Sequence, residues 1–207
     1  MHPTAIFTNH SKEEALAFAA SYPFAMLAVN AQQGPITALV PLVYDSASAH
    51  FLGHVARPNP FWQTAQKAGK ATAVFRGVDA YVSPSSYPSK AEHHKAVPTW
   101  NYTALEVRGD ITIETSADMM QDYLTPLTDV MESERDVPWK ITDAPESYIA
   151  KLSNAIVGLR LSADAFHFVE KLSQNKSDED RAGVIADLQR SKRPSDTWVA
   201  AVMQARS

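Results

Sequence analysis

Cysteine is absent from this chain of 207 residues, which removes disulfides, thiolate catalysis and cysteine-ligated metals together. No stretch of about 18 apolar residues occurs. The opening MHPTAIFTNHSKEE has no basic segment followed by an apolar one, so the expectation is a soluble, cytoplasmic protein with no membrane partner. Positive charge is not in excess: 19 Lys and Arg stand against 23 Asp and Glu, a net charge of -4, and any DNA binding would have to be local. Neither G-x-G-x-x-G nor G-x-x-x-x-G-K-[ST] occurs, nor a G-x-S-x-G elbow, so nucleotide loops and serine hydrolysis of the usual kind have no local support. What is present is an ordinary globular composition, 45% hydrophobic and 20% charged, in a chain long enough to bury a substantial core.

The order of elements is strand-rich. Ser11 and Glu14 form a possible capping box, predicting a helix that ends near Tyr22-Pro23. Phe24 to Val29 reads as a strand, AQQGP as a turn, and ITALVPLVY as a second strand whose Pro41 points to an edge or a bulge. HFLGHVA is a third strand. NPFWQTAQKAG fits a helix with Asn59 as cap, Pro60 at its first position and Gly69 at its end. ATAVFRG and DAYVSP read as two strands divided by a tight turn at Gly77, and the long polar loop 84–98 is suited to function. TWNYTALEVRGDITIET resumes a strand or hairpin, and SADMMQDYLTPLTDVMES reads as a helix that Pro126 kinks or divides. Asp143 and Glu146 suggest a capping box before the last two strands, while Ser177 and Ser195 are expected to cap two C-terminal helices. Many antiparallel strands with helices at the margins predict a mainly β fold, a small barrel with attached helices. The expected division is 1–175 for the barrel with inserted helices and 176–207 for a helical appendage.

Three stretches carry chemistry. In GHVARPNPFW, Arg57 beside a helix start is a sensible phosphate site; the bland alternative pairs Arg57 with a surface carboxylate and makes His54 a sheet histidine. In YVSPSSYPSKAEHHKAVPTWNY, Ser83, Ser85, Ser86, Lys90, Lys95, Thr99, Trp100 and Asn101 suit the polar edge and the face of a flat heterocycle, although Trp100 and Tyr102 could be core aromatics. Adjacent His93 and His94 make a poor metal pair, since neighbours diverge and no third ligand is nominated, and no metal is assigned. KLSQNK, 171–176, offers amides and positive charge for a ring edge or phosphate, but it also reads as a turn before a capping box of Ser177 and Asp180.

GHVARPNPFW, AYVSPSSYP, EHHKAVPTWNY and KLSQNK with DRAGVI together resemble the PaiB family, FMN-binding negative transcriptional regulators with an FMN-binding split β-barrel. The resemblance runs over almost the whole chain. It implies FMN as cofactor, a homodimer with flavin at or near the subunit interface, and site positions His54, Arg57, Asn59, Ser83, Ser85, Lys90, Thr99, Trp100, Asn101, Lys171, Ser173, Gln174 and Asn175. Within that set, chemistry assigns Arg57 and a lysine to phosphate, and Ser83, Thr99, Gln174 and Asn175 to the ring or ribityl chain. Two positions depart from the family pattern: His94 stands where glycine is common and Pro58 where a small residue is common. The family resemblance implies a negative transcriptional regulator or redox sensor; the alternative is an FMN-dependent oxidoreductase or flavin reductase acting on a small molecule. For direct DNA contact the C-terminal helices offer only the small basic cluster Arg190, Lys192 and Arg193.

Overall fold

The structure, a computed structural model, describes residues 4–206. The chain forms two compact units. Of the described residues, the smaller unit takes those within Met1–Ser11, Arg76–Leu105 and His167–Ser207, and the larger takes Lys12–Phe75 and Glu106–Phe166.

The larger unit opens with helix α1 (Lys12–Ser21) and a hairpin of β1 (Phe24–Ala31) and β2 (Gly34–Pro41). Buried Ala25, Leu27 and Val29 alternate with exposed Phe24, Met26 and Asn30, the period of two that a strand with one covered face requires. A two-residue turn joins the strands, and Gly34 takes φ +112°, a conformation that disfavours any side chain. The strand order is β2-β1-β5 (Lys70–Val82)-β6 (Thr99–Glu114)-β7 (Ile156–Ser162)-β4 (His50–Ala56)-β3 (Val43–Asp45), which puts β2 at an edge, where the missing N–H of Pro41 costs little. ITALVPLVY is not one strand. It breaks after Pro41, and β3 (Val43–Asp45) turns away from β1 to pair with β4 (His50–Ala56).

Helix α2 (Phe61–Ala68) follows β4. It starts one residue later than predicted, with the Asn59 side chain accepting from Phe61 N at 3.0 Å, and ends at Gly69 in the left-handed region. The predicted turn at Gly77 is absent, and β5 (Lys70–Val82) runs straight through it. Its buried positions are Ala71, Ala73 and Phe75, then Val78, Ala80 and Val82, so the covered face changes parity between Phe75 and Val78. A one-residue slip within a strand, of the kind a bulge makes, takes the place of the turn. β6 (Thr99–Glu114) is likewise one long strand, not a hairpin.

Next come α4 (Gln121–Glu132), which carries Pro126 without being divided, α5 (Glu146–Ser153), β7 (Ile156–Ser162) and β8 (Ala165–Lys171). β7 pairs antiparallel with β4 and β6, while β8 pairs with β6. The predicted Asp143–Glu146 box does not form: Asp143 accepts from Lys140 N at 2.9 Å and caps the short turn Ile141–Asp143. Met120 and Tyr123 pack against Leu52, with the Tyr123 ring so close to β7 that a Cβ on Gly158 would lie 2.9 Å from it. Phe51 and Phe75, both fully buried with ring centroids 5.2 Å apart, centre the core, each worth about 1.5–3 kcal/mol of burial.

The smaller unit holds the far half of β5, α3 (Lys90–His93), the first half of β6, most of β8, α6 (Asp178–Gln189) and α7 (Pro194–Ala205). Val184 and Leu188 on α6 and Val199 and Met203 on α7 are spaced i,i+4 and buried, which gives each helix one apolar face. Ser177 caps α6 as predicted, accepting from Asp180 N at 3.2 Å, but the reciprocal half of the box is missing because the Asp180 carboxylate is bonded to Ser89. Ser195 is not the cap of α7. The helix begins at Pro194, whose fixed φ suits a first turn, and Ser195 lies inside it.

Candidate functional site

The sequence-predicted residues fall into two groups, one in each unit. In the larger unit β4 ends at Ala56, and Arg57 N donates to Ala155 O at 2.8 Å. The Arg57 guanidinium donates from Nε to Asn154 O at 2.7 Å and from Nη2 to Thr115 O at 2.9 Å and Ile156 O at 3.0 Å. Its own carbonyl accepts from Trp62 Nε1 at 2.9 Å. Arg57 thus ties together three chain segments through main-chain carbonyls rather than through the surface carboxylate of the bland reading. Nη1 is not engaged by these bonds. Half-buried His54 stands opposite Gly158, with Nδ1 buried and without a hydrogen-bond partner among the described residues. Burial pushes its pKa below the ordinary imidazole value, so the ring is neutral at pH 7.

In the smaller unit Lys171, at the end of β8, donates to Thr99 Oγ1 and, at 2.8 Å, to Trp100 O. Burial, and then the charge of Lys176, pushes its pKa below the usual lysine value. An ammonium held by neutral oxygens and repelled by a second lysine is short of negative charge, which a phosphate would supply. Trp100 is 47% exposed and Tyr81 45%, with ring centroids 6.0 Å apart at 72°, so this pair is surface aromatic and not core. Tyr81 and Lys176 were missed as site candidates, although Lys176 closes the KLSQNK motif.

The remaining residues of this unit divide between architecture and display. Asn101 is buried, donating to Ser173 Oγ at 3.0 Å and Met203 Sδ at 3.4 Å, and Ser173 sits at φ +64°. Gln174 closes the turn: its Oε1 accepts from Leu172 N at 2.6 Å and its Nε2 donates to Glu170 O. Asn175 is exposed. In the loop, Ser83 Oγ accepts from Ser85 N at 3.2 Å and Lys90 Nζ reaches Ser85 Oγ at 3.3 Å. His94 occupies the left-handed region at φ +54°, a backbone conformation that glycine adopts without strain. Pro58 lies in the turn between β4 and α2, where Asn59 N donates to Ala56 O at 2.9 Å. Besides these groups, an open cleft of about 480 Å³ in the larger unit is lined by Asn30, Lys70, Thr72, Arg108 and Asp164 among others, none of them a predicted site residue.

Among the described residues no cluster of three His, Asp or Glu side chains could hold a metal ion, and no helix is long and apolar enough to cross a membrane.

Residues 1–165 match the family described as "Putative FMN-binding domain". The chain is 28% identical over 200 residues to the protease synthase and sporulation protein PAI 2 of Bacillus subtilis (strain 168), covering 96% of this chain and 94% of that one. In structure it is similar to the FAD and heme binding protein from Mycobacterium smegmatis, with a TM-score of 0.60 at 16% identity over 83% of this chain and 77% of that one. The flavocytochrome Anf3 from Azotobacter vinelandii gives a TM-score of 0.60 at 13% identity over 87% and 78%. At such identities the likeness is one of fold: a mixed α/β arrangement related to the FMN-binding split barrels, with a dominant antiparallel sheet and peripheral helices.

Proposed function

The chain belongs to this FMN-binding domain family and is related to PaiB-like and split-barrel flavoproteins, and from that premise we propose that it is an FMN-dependent oxidoreductase acting on a small molecule. The observation that carries the flavin site is Lys171: a partly buried ammonium, anchored by neutral oxygens and pressed by Lys176, is suited to a phosphate-bearing ligand. Lys171 and Lys176 would neutralise the phosphate, Lys90 and Ser85 would add a second polar contact, and Ser83, Thr99, Gln174 and Asn175 would offer hydrogen bonds to the ring edge or ribityl chain. Trp100 and Tyr81 would cover an aromatic face and exclude water. Within the larger unit, His54 and Asn59, with Nη1 of Arg57, form a separate polar set suited to a polar ligand. When bound, a flavin supplies one- and two-electron redox chemistry, and the protein's part is binding and orientation.

The second reading, a negative transcriptional regulator in the PaiB manner, draws on the sporulation name of the Bacillus relative. The local geometry weighs against direct DNA contact. Arg190 lies 3.8 Å from Asp187 and Arg193 3.9 Å from Asp196, so two of the three residues in the basic cluster already face carboxylates. The first turn of α6 is acidic as well, which a phosphate backbone would oppose. A cytoplasmic homodimer is part of the proposal. It is supported by exposed Phe24, Met26 and Leu39, of which Met26 and Leu39 are cross-strand partners on an edge hairpin, a face that a second copy would cover.

Visible absorption after adding FMN or FAD and gel filtration tests the cofactor, with one FMN per chain expected; retention of neither flavin overturns the site. Oxidation of a reduced nicotinamide by the loaded protein supports the enzyme. A salt-dependent, sequence-selective DNA complex without turnover supports the regulator instead.

A further inference from the structure

The loop that carries Ser83, Ser85 and Lys90 is fastened to α6 by two carboxylates. Ser86 Oγ donates to Asp187 Oδ2 at 2.7 Å. Ser89 donates twice to Asp180, from N to Oδ1 at 3.0 Å and from Oγ to Oδ2 at 2.7 Å. Asp180 and Asp187 are seven residues apart, two helical turns, and so share one face of α6. Gly183 stands between them on that face. A Cβ there would lie 2.2 Å from Ser86 O and 2.8 Å from Pro88 Cδ, so the loop rests directly on the helix backbone. The Lys176 ammonium 4.9 Å from the Tyr87 ring centroid adds a third tie. Ser86, Tyr87 and Asp180 are all buried. Burial alone would raise the Asp180 pKa, but the two bonds from Ser89, with Lys176 and His93 nearby, outweigh it and hold the carboxyl below the usual carboxylate range.

This is more fastening than a connection between two strands needs. β5 and β6 are already in the sheet, and the loop segment with Ser83, Ser85 and Lys90 displays polar groups instead of filling a core. We infer that Asp180, seconded by Asp187, is a positioning residue for flavin: through Ser89 and Ser86 it holds the 83–94 loop in its binding shape. The inference rests on the flavin reading above. It adds that residues of α6, with no assigned contact to any ligand, set the affinity.

A polarity swap tests it. Ser89→Asp sets two carboxylates against each other, while Ser89→Asp with Asp180→Ser restores a hydroxyl–carboxylate pair in reverse. Two readouts are taken: FMN affinity by fluorescence titration, and the rate of trypsin cleavage after Lys90 and Lys95 in flavin-free protein. Ser89→Asp is expected to weaken FMN about tenfold and to speed cleavage, and the double variant to recover most of both. Ser89→Ala, a milder change that keeps the backbone bond, is expected to weaken FMN roughly threefold and serves if Ser89→Asp does not fold. Faster cleavage with unchanged FMN affinity overturns the positioning role and leaves the flavin reading intact. Unchanged cleavage in folded Ser89→Asp overturns the latch itself. If wild-type protein takes up no FMN, the flavin reading falls and the positioning role falls with it, while the cleavage data still report whether the latch exists.

Discussion

Arg57 and Lys171 are both cations at the end of a strand, both bonded to neutral oxygens, and they are employed in opposite ways. Arg57 has a planar fork, and three carbonyls from 115, 154 and 156 fill two of its nitrogens at 2.7–3.0 Å. Lys171 has a point charge, a hydroxyl and one carbonyl, and a pKa driven down by burial and a neighbouring lysine. The first cation is used by the fold, and the second is the one we propose meets an anion. A basic residue in a site motif is therefore informative only once its donors have been traced.

The largest expected effect breaks the fold side of this comparison. Arg57→Ala removes three bonds from a charged donor and should cost about 2–4 kcal/mol of unfolding free energy, roughly 5–15 °C in Tm. Arg57→Lys should recover little, since an ammonium cannot span three carbonyls as the guanidinium does. Denaturant unfolding measures both, and a stable Arg57→Ala that has lost only FMN would reverse the assignment. The Lys171 counterpart should divide the other way. Lys171→Met is expected to weaken FMN about tenfold or more, near 1.4 kcal/mol or above, with Tm almost unchanged, because the lost bonds are offset by removing a charge that the fold disfavours. The sign follows from linkage. A lysine with a lowered folded pKa opposes folding at neutral pH, and that opposition fades only as pH rises through its folded value toward the ordinary one.

A smaller effect sharpens the comparison. Lys176→Ala should raise the Lys171 pKa by removing like charge and should still weaken FMN, by about threefold, if both lysines face the phosphate. NMR titration of the lysine side chains reads the first, and flavin fluorescence the second. A raised pKa with no loss of affinity would confine the phosphate to Lys171 alone.

Much of the fold was legible because it rests on local rules. Alternating Ala25, Leu27 and Val29 declare β1, Gly69 declares the end of α2, and Ser177 the start of α6. The errors lie where a local signal was answered from far away in sequence. Asp180 looks like half of a capping box, and Ser89, 91 residues distant, takes its carboxylate. Gly77 looks like a turn, and the strand instead absorbs it by changing its buried face. For the candidate site the sequence gives residue types but not the bonds they make. Nothing in ARPN announces that carbonyls near residues 115 and 155 will claim the arginine, or that Asn101 will be buried against Ser173 and Met203 rather than offered to a ligand.

His54 gives the smallest and most specific test of the larger unit. The ring is half-buried, its Nδ1 has no partner among the described residues, and burial lowers its pKa, so the folded chain prefers it neutral. The unfolded chain keeps the ordinary imidazole value near 6.5 and therefore binds more protons just below it. The stability tied to a neutral His54 is fully present above that pH and is lost as pH falls toward the lower folded value, at no more than about 1.4 kcal/mol per pH unit. Denaturant midpoints between pH 7.5 and 5 should show this decline in flavin-free wild type and a flatter profile in His54→Gln, since glutamine does not titrate. The difference isolates His54, the one histidine of the GHVARPN stretch. A profile that is unchanged in His54→Gln would mean that the ring finds a partner for Nδ1 in solution, and its place in a polar ligand set would then have to be given up.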